Sequence, residues 1–326
     1  MSLGEITEEL IAKGREAFLN EGIEVLLGFE KSSSGFLKPK AFFSPDSLKT
    51  LRWDASASTN LAALLPKYRG KKIGILAPGC VSRSLVILIN EGQIVREKLK
   101  VIGIPCPGVI DRRKLGPLKN SYFLGSKGGK FLLESDNQIL ELPLEEYLCD
   151  CCLSCRYPSP VIYDYMIQGK SREGATDALE GRVKKINSLS EIERLSYFQD
   201  QAEKCIRCYA CRQACPMCYC ESCFVESSEP RWLTAAPTIP DNLIWLLTRT
   251  YHLAGRCVEC GACEQACPEG VDLMSLLAWA KQTVSQLFNY TPGLEIGERP
   301  ALGSFSYDDP DFFWGGGLTE EKKCCT

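Results

Sequence analysis

A chain of 326 residues with 45% hydrophobic and 24% charged residues can bury ordinary cores and is long enough for two domains. Its 38 basic and 41 acidic residues give a formal net charge of -3, which leaves no basic excess to neutralise phosphates and argues against nucleic acid as a partner. No apolar run approaches the roughly 18 to 20 residues of a membrane helix, and residues 1–20 form an acidic amphipathic stretch rather than an export signal, so a soluble, cytoplasmic protein without a membrane span is expected.

From Gly22 to Leu144 the pattern is α/β. The run Lys72 to Ala77 predicts a buried strand, Ser82 to Lys98 a helix with Ser82 as its N-cap, and Val101 to Ile104 a second strand. Together they form one βαβ unit, whose two strands must run parallel. Ile23 to Phe29, Leu37 to Phe43, Phe131 to Leu133 and Ile139 to Leu142 are shorter strand candidates that would extend this sheet, the last two as a hairpin around Ser135, Asp136 and Asn137. Beyond Cys155 the strand signals thin, and Leu189 to Gln201, Asn242 to Leu253 and Leu273 to Leu287 read as helices. The expected fold is an α/β N-terminal domain with a partly parallel sheet (1–185), followed by a smaller, mainly α-helical ferredoxin-type domain (186–289) and an extended arm (290–326) rich in glycine and aromatics.

Nineteen cysteines stand against a single histidine, His252, and 15 of them fall between Cys149 and Cys267. Such density in a chain with ordinary cores points to thiolate-bound metal rather than a disulfide scaffold. Two segments share one spacing: Cys205-x2-Cys208-x2-Cys211-x3-Cys215-Pro216 and Cys257-x2-Cys260-x2-Cys263-x3-Cys267-Pro268. Three thiolates at three-residue steps on a tight loop reach three irons of one cubane, and the fourth points to the other cluster. This assigns Cys205, Cys208, Cys211 and Cys267 to one [4Fe-4S] centre and Cys257, Cys260, Cys263 and Cys215 to a second. Zinc, which takes two separated pairs, would be oversupplied twice in the same way. Arg207, Arg212 and Arg256 lie in or beside these motifs and read as solvated loop charges. The stretch His252 to Pro268 resembles the α-helical ferredoxin domain of heterodisulfide reductase and succinate dehydrogenase iron-sulfur subunits. In that setting His252 is expected to be a structural residue at a helix end.

Cys80 follows the first strand of the βαβ unit and Cys106 the second, so both are expected at the carboxyl edge of the sheet, where ligands of open α/β sheets bind. Cys152-x2-Cys155 can complete a set of four. Taken alone, these residues leave open a second reading, in which Cys80 and Cys106 are buried small hydrophobes. Lys72 to Cys80, Val101 to Val109 and Cys152 to Asp164 resemble the beta-subunit family of deazaflavin-coenzyme-reducing hydrogenases and dehydrogenases. The resemblance implies a third [4Fe-4S] cluster on Cys80, Cys106, Cys152 and Cys155, beside a flavin. Residues 1–55 lack the Gly-Gly with which such members line the flavin pocket, and no strand is followed by G-x-G-x-x-G, so FAD stays an alternative and no dinucleotide site is assigned.

Five more cysteines, Cys149, Cys151, Cys218, Cys220 and Cys223, form dense groups that suit a fourth cluster, zinc or spare ligands alike, while Cys324 and Cys325 sit in a polar tail. With one histidine the chain offers no Ser-His-Asp or Cys-His constellation, and no catalytic residue is assigned. The expected function is that of an iron-sulfur electron-transfer subunit in a cytoplasmic, anaerobic oxidoreductase complex, partnered by a hydrogenase, a formate dehydrogenase or a heterodisulfide-reductase-like flavoprotein. The alternative is a flavin-containing subunit that itself passes hydride to or from a deazaflavin or nicotinamide coenzyme.

Overall fold

The computed structural model describes residues 3–175 and 180–301; residues 302–326 of the predicted arm, with Cys324 and Cys325, lie outside the described residues. The amphipathic N-terminal stretch is helix α1 (Leu3–Asn20), which buries Leu10 and Ala17. It leads into β1 (Val25–Lys31) and β2 (Leu37–Phe42). The βαβ unit follows as β3 (Ile73–Ala77), α2 (Gly79–Asn90) and β4 (Leu99–Gly103), and every residue of β3 is buried, as its uninterrupted apolar run requires. Next come β5 (Tyr122–Lys127), β6 (Lys130–Ser135), β7 (Gln138–Pro143), two single turns α3 (Leu144–Tyr147) and α4 (Asp150–Leu153), and the short β8 (Tyr165–Met166).

The main sheet has the order β2-β1-β3-β4-β8, with the β1–β2 pair antiparallel and all other pairs parallel. Two expectations need correction. The 131–142 hairpin does turn at Asp136 and Asn137, both at positive φ, but it does not extend this sheet. Together with β5 it forms a separate antiparallel sheet, β5-β6-β7, over its own core of Phe36, Phe123, Phe131, Leu133 and Leu148. Helix α2 starts at Gly79 rather than Ser82 and stops at Asn90 rather than Lys98. Pro78, whose ring presets φ at -66°, precedes the first turn, and Ser82 is no cap, because its hydroxyl donates to the Gly79 carbonyl at 2.9 Å. Gly92, at φ +66°, turns the chain out of the helix.

The helical part comprises α5 (Glu180–Asn187), α6 (Glu191–Lys204), α7 (Ala210–Gln213), α8 (Ile239–Leu253), α9 (Ala262–Gln265) and α10 (Leu273–Phe288). The three long helices carry sequence-encoded starts: a Ser190–Glu193 capping box, Thr238 over Asp241 N–H, and Asp272 over Ser275 N–H. Helix α6 packs on α8, α10 on α5 and α8, and α7 on α9. The buried residues of the main sheet and of the helical part form one continuous cluster, in which Ile102 and Ile104 share a core with Cys257, Val258 and Met274. Buried Arg83 of α2 ties them further, donating to the carbonyls of Val258 (3.2 Å) and Pro292 (2.7 Å).

Candidate metal centres

Both ferredoxin-type motifs fold into the same loop. In Cys205 to Cys211, Arg207 and Tyr209 adopt φ of 50° and 58°; in Cys257 to Cys263, Glu259 and Gly261 adopt 61° and 68°. Left-handed residues at alternate positions turn successive backbone N–H groups inward, a concavity that suits an anionic inorganic cluster. Three of these four residues are not glycine, so the conformation carries strain that the surroundings must hold. Backbone N–H groups reach the thiols directly: Glu259 N donates to Cys257 Sγ and Val271 N to Cys267 Sγ, both at 3.4 Å. Helices α7 and α9 carry the chain from each loop to its fourth cysteine.

Their packing crosses the two motifs. Cys205, Cys208, Cys211 and Cys267 line one cavity, walled by Trp245, Leu246 and Leu273. Cys215, Cys257, Cys260 and Cys263 line the next, with Arg249 and Met274. Cys208 is exposed whereas Cys257 and Cys263 are buried, so the first cavity is the one nearer solvent.

At the main sheet, Ala77 and Gly103 end their strands in register, and Cys80 and Cys106 each lie three residues further on. Equal offsets from paired residues bring the two thiols to one edge. The 155–158 segment lies across the start of α2, where Gly79 N–H donates to the Pro158 carbonyl. A Cβ on Gly79 would stand 1.9 Å from the Tyr157 carbonyl oxygen, so only glycine permits this approach. Cys80, Cys106, Cys152 and Cys155 thereby line one cavity, and Val109 N–H donates to Cys152 Sγ at 3.3 Å.

Two further thiols join that cavity, Cys151 and Cys260. Cys260 therefore lines both this cavity and the second ferredoxin-type one. Gly261 makes the junction, since a Cβ there would fall 2.3 Å from Cys151 Sγ. The sequence offered no sign of this, because Cys151 and Cys260 are 109 residues apart.

Cys218, Cys220 and Cys223 border a further cavity with Arg212, Arg249, Arg256 and His252. His252 lies in the last turn of α8, where its ring meets the edge of Phe224 at 6.3 Å. The motif arginines are not solvated loop charges. Arg207 and Arg212 are each 8% exposed: Arg207 donates to the Thr234 carbonyl at 2.7 Å, and Arg212 forms a fork onto Glu226 at 2.7 and 3.1 Å. Arg256 pairs with Glu91 at 2.7 Å. Motif spacing also gave no hint of Arg249, a buried arginine in mid-helix.

Chemically, the donor sets suit iron-sulfur clusters. Burial pushes the thiols of Cys106 and Cys260 up to about 12 and that of Cys211 to about 11, so each stays protonated until a metal replaces the proton. Among the described residues, the group of three or more ligand atoms within 4.8 Å of one another is Cys149, Cys151 and Cys152.

Known proteins agree with this chemistry. Residues 201–271 match the 4Fe-4S dicluster domain family. The F420-dependent formate dehydrogenase subunit beta of Methanocaldococcus jannaschii is 30% identical over 300 residues, covering 73% of this chain and 78% of that protein. The F420-dependent formate dehydrogenase 1 subunit beta of Methanococcus maripaludis is 32% identical over 103 residues, covering 32% of this chain and 26% of that protein. Among solved structures, the F420-reducing [NiFe] hydrogenase complex from Methanosarcina barkeri is similar at a TM-score of 0.36 and 16% identity, over 48% of this chain and 63% of that one.

Fold and thiol cavities thus define an iron-sulfur protein, an electron-transfer subunit of an oxidoreductase complex. The chain belongs to the F420-dependent formate dehydrogenase beta-subunit family. Among the described residues no helix is long and apolar enough to cross a membrane.

Proposed function

We propose that the chain relays single electrons between a deazaflavin-linked reaction and a formate-oxidising partner in a cytoplasmic, anaerobic complex. Three [4Fe-4S] clusters make up the relay, held by Cys80, Cys106, Cys152 and Cys155; by Cys215, Cys257, Cys260 and Cys263; and by Cys205, Cys208, Cys211 and Cys267. The single observation that carries this reading is that each set of four thiols borders one cavity, with Cys260 common to the first two. When bound, all-cysteine cubanes supply one-electron transfer and no open iron for substrate.

The protein's own residues hold the relay in order. Gly261 and Cys151 bring the sheet-edge site against the second ferredoxin motif, and the α7–α9 packing brings that motif against the first. Exposed Cys208 marks the end at which a redox partner docks. Cys149 and Cys151, beside Cys152, act as spare thiols at the sheet-edge site, and Cys218, Cys220 and Cys223 offer a fourth metal site, as a cluster or as zinc. The domains proposed are 1–185, 186–289 and 290–326, the first limit falling inside α5 and the second just past the end of α10.

A second reading, in which this chain also carries FAD, has chemistry in its favour. The relatives are named for F420, a deazaflavin that exchanges a hydride, and one-electron clusters need a two-electron partner between them and a hydride. Flavin analysis of anaerobically purified protein, followed by addition of reduced deazaflavin coenzyme, tests both readings. Bleaching of the cluster absorbance only when a flavoprotein subunit is added supports the relay. Bound flavin with bleaching by coenzyme alone supports the second reading, and clusters that no coenzyme or partner can reduce contradict both.

A further inference from the structure

We propose that Arg249 sets the reduction potential of the ferredoxin-type pair, acting as the fixed counter-charge to the electron that each cluster gains. The inference rests on the cluster assignment above and adds a role for a residue outside both motifs.

Arg249 lies in the second half of α8, 3% exposed, in the wall of the second crossed cavity. Its Nη2 donates to the carbonyl of Cys211, a residue of the first set, at 3.4 Å. Cys263, of the second set, borders the same cavity as this guanidinium. Arg249 borders the cavity of Cys215, Cys257, Cys260 and Cys263 and the one beside Cys218. One cation thus bonds a ligand residue of the first set and borders the cavity of the second.

Its charge is also uncommitted. Arg212 is neutralised by Glu226, Arg256 by Glu91, and Arg207 faces Asp241 at 3.7 Å. No ion pair joins Arg249 to a carboxylate among the described residues, and its Nε, although buried, has no hydrogen-bond partner. A buried guanidinium in that state needs negative charge nearby, and thiolate-bound clusters supply it. Reduction adds one electron from the redox partner, with no bond made or broken. The added charge falls where water screens little, so the buried cation favours the reduced form and raises the potential. Arg249 is a positioning residue: it bonds the backbone of a ligand residue rather than a substrate.

The test uses the intact chain, purified without oxygen, as wild type, Arg249→Lys, Arg249→Gln and Arg249→Met. Iron is counted in each, and potentials are read by an EPR-monitored titration with dithionite. The expected result is full iron in all four, a negative shift of the ferredoxin-type signals in the Gln and Met variants, and a smaller shift in Lys, which keeps the charge and loses the fork. Unchanged potentials in both neutral variants would overturn the role. So would loss of a cluster from both, because Arg249 would then be structural support for metal binding. Failure of the cluster assignment is read separately, as absence of iron in the wild type.

Discussion

Cys260 is the residue at which two sites meet, and its neighbours explain how one thiol can face both. Glu259 and Gly261 flank it in the left-handed region, which exposes the loop crest to Cys151 on one side while the rest of the loop faces the helical part. Cys80 and Cys106 reach the shared cavity from the sheet side, outside both ferredoxin-type motifs. Cys80→Ser or Cys106→Ser should therefore remove about four irons per chain and leave the ferredoxin-type EPR signals in place. Retention of all the iron in both variants would exclude these cysteines as ligands. That each crossed set of four would gather at one cavity was legible in the sequence, because the repeated spacing implies it. Cys151 and Arg249 were not, since nothing local marks a residue whose role comes from what packs against it.

Among the elements, α2 has the tightest fit. Its first residue admits the 155–158 segment only because it has no side chain. Gly79→Ala should cost about 1–3 kcal/mol of stability through displacement of that segment. It should also lower iron at the sheet-edge site more than at the ferredoxin-type pair, a difference that iron counts and EPR on one preparation can resolve. A variant with wild-type stability and iron would show that the segment is free to move. The βαβ unit could be read in advance because a fully apolar five-residue run has few other places to go. The ends of α2 could not, since Ser82 looks like a cap until Val161 N–H is seen to occupy its hydroxyl. The second sheet was hidden for another reason. Alternating strands such as β6 state which face is buried without stating which sheet they join.

For the whole molecule, the question is what holds the sheet against the helical part. Arg83 reaches across with a buried side chain, and Glu91 does the same from just past the end of α2, accepting from both Arg256 and Tyr219. Arg83→Ala would leave the Val258 and Pro292 carbonyls without this donor and should cost about 2–4 kcal/mol, seen as a lower thermal midpoint in anaerobic protein. Metal removal should act on the helical part in particular. There the proposed ligand sets cross the two motifs, and without metal several buried thiols lose their reason to be ionised. Chelation under oxidising conditions should thus reduce helical circular dichroism, and full retention of the signal would show that the helices fold without their clusters.

The most direct test of the central claim is a count of iron and acid-labile sulfide per chain in protein kept free of oxygen. The account predicts about twelve of each, rising to about sixteen if Cys218, Cys220 and Cys223 also help hold a cubane. Negligible iron, or zinc in its place, would contradict it.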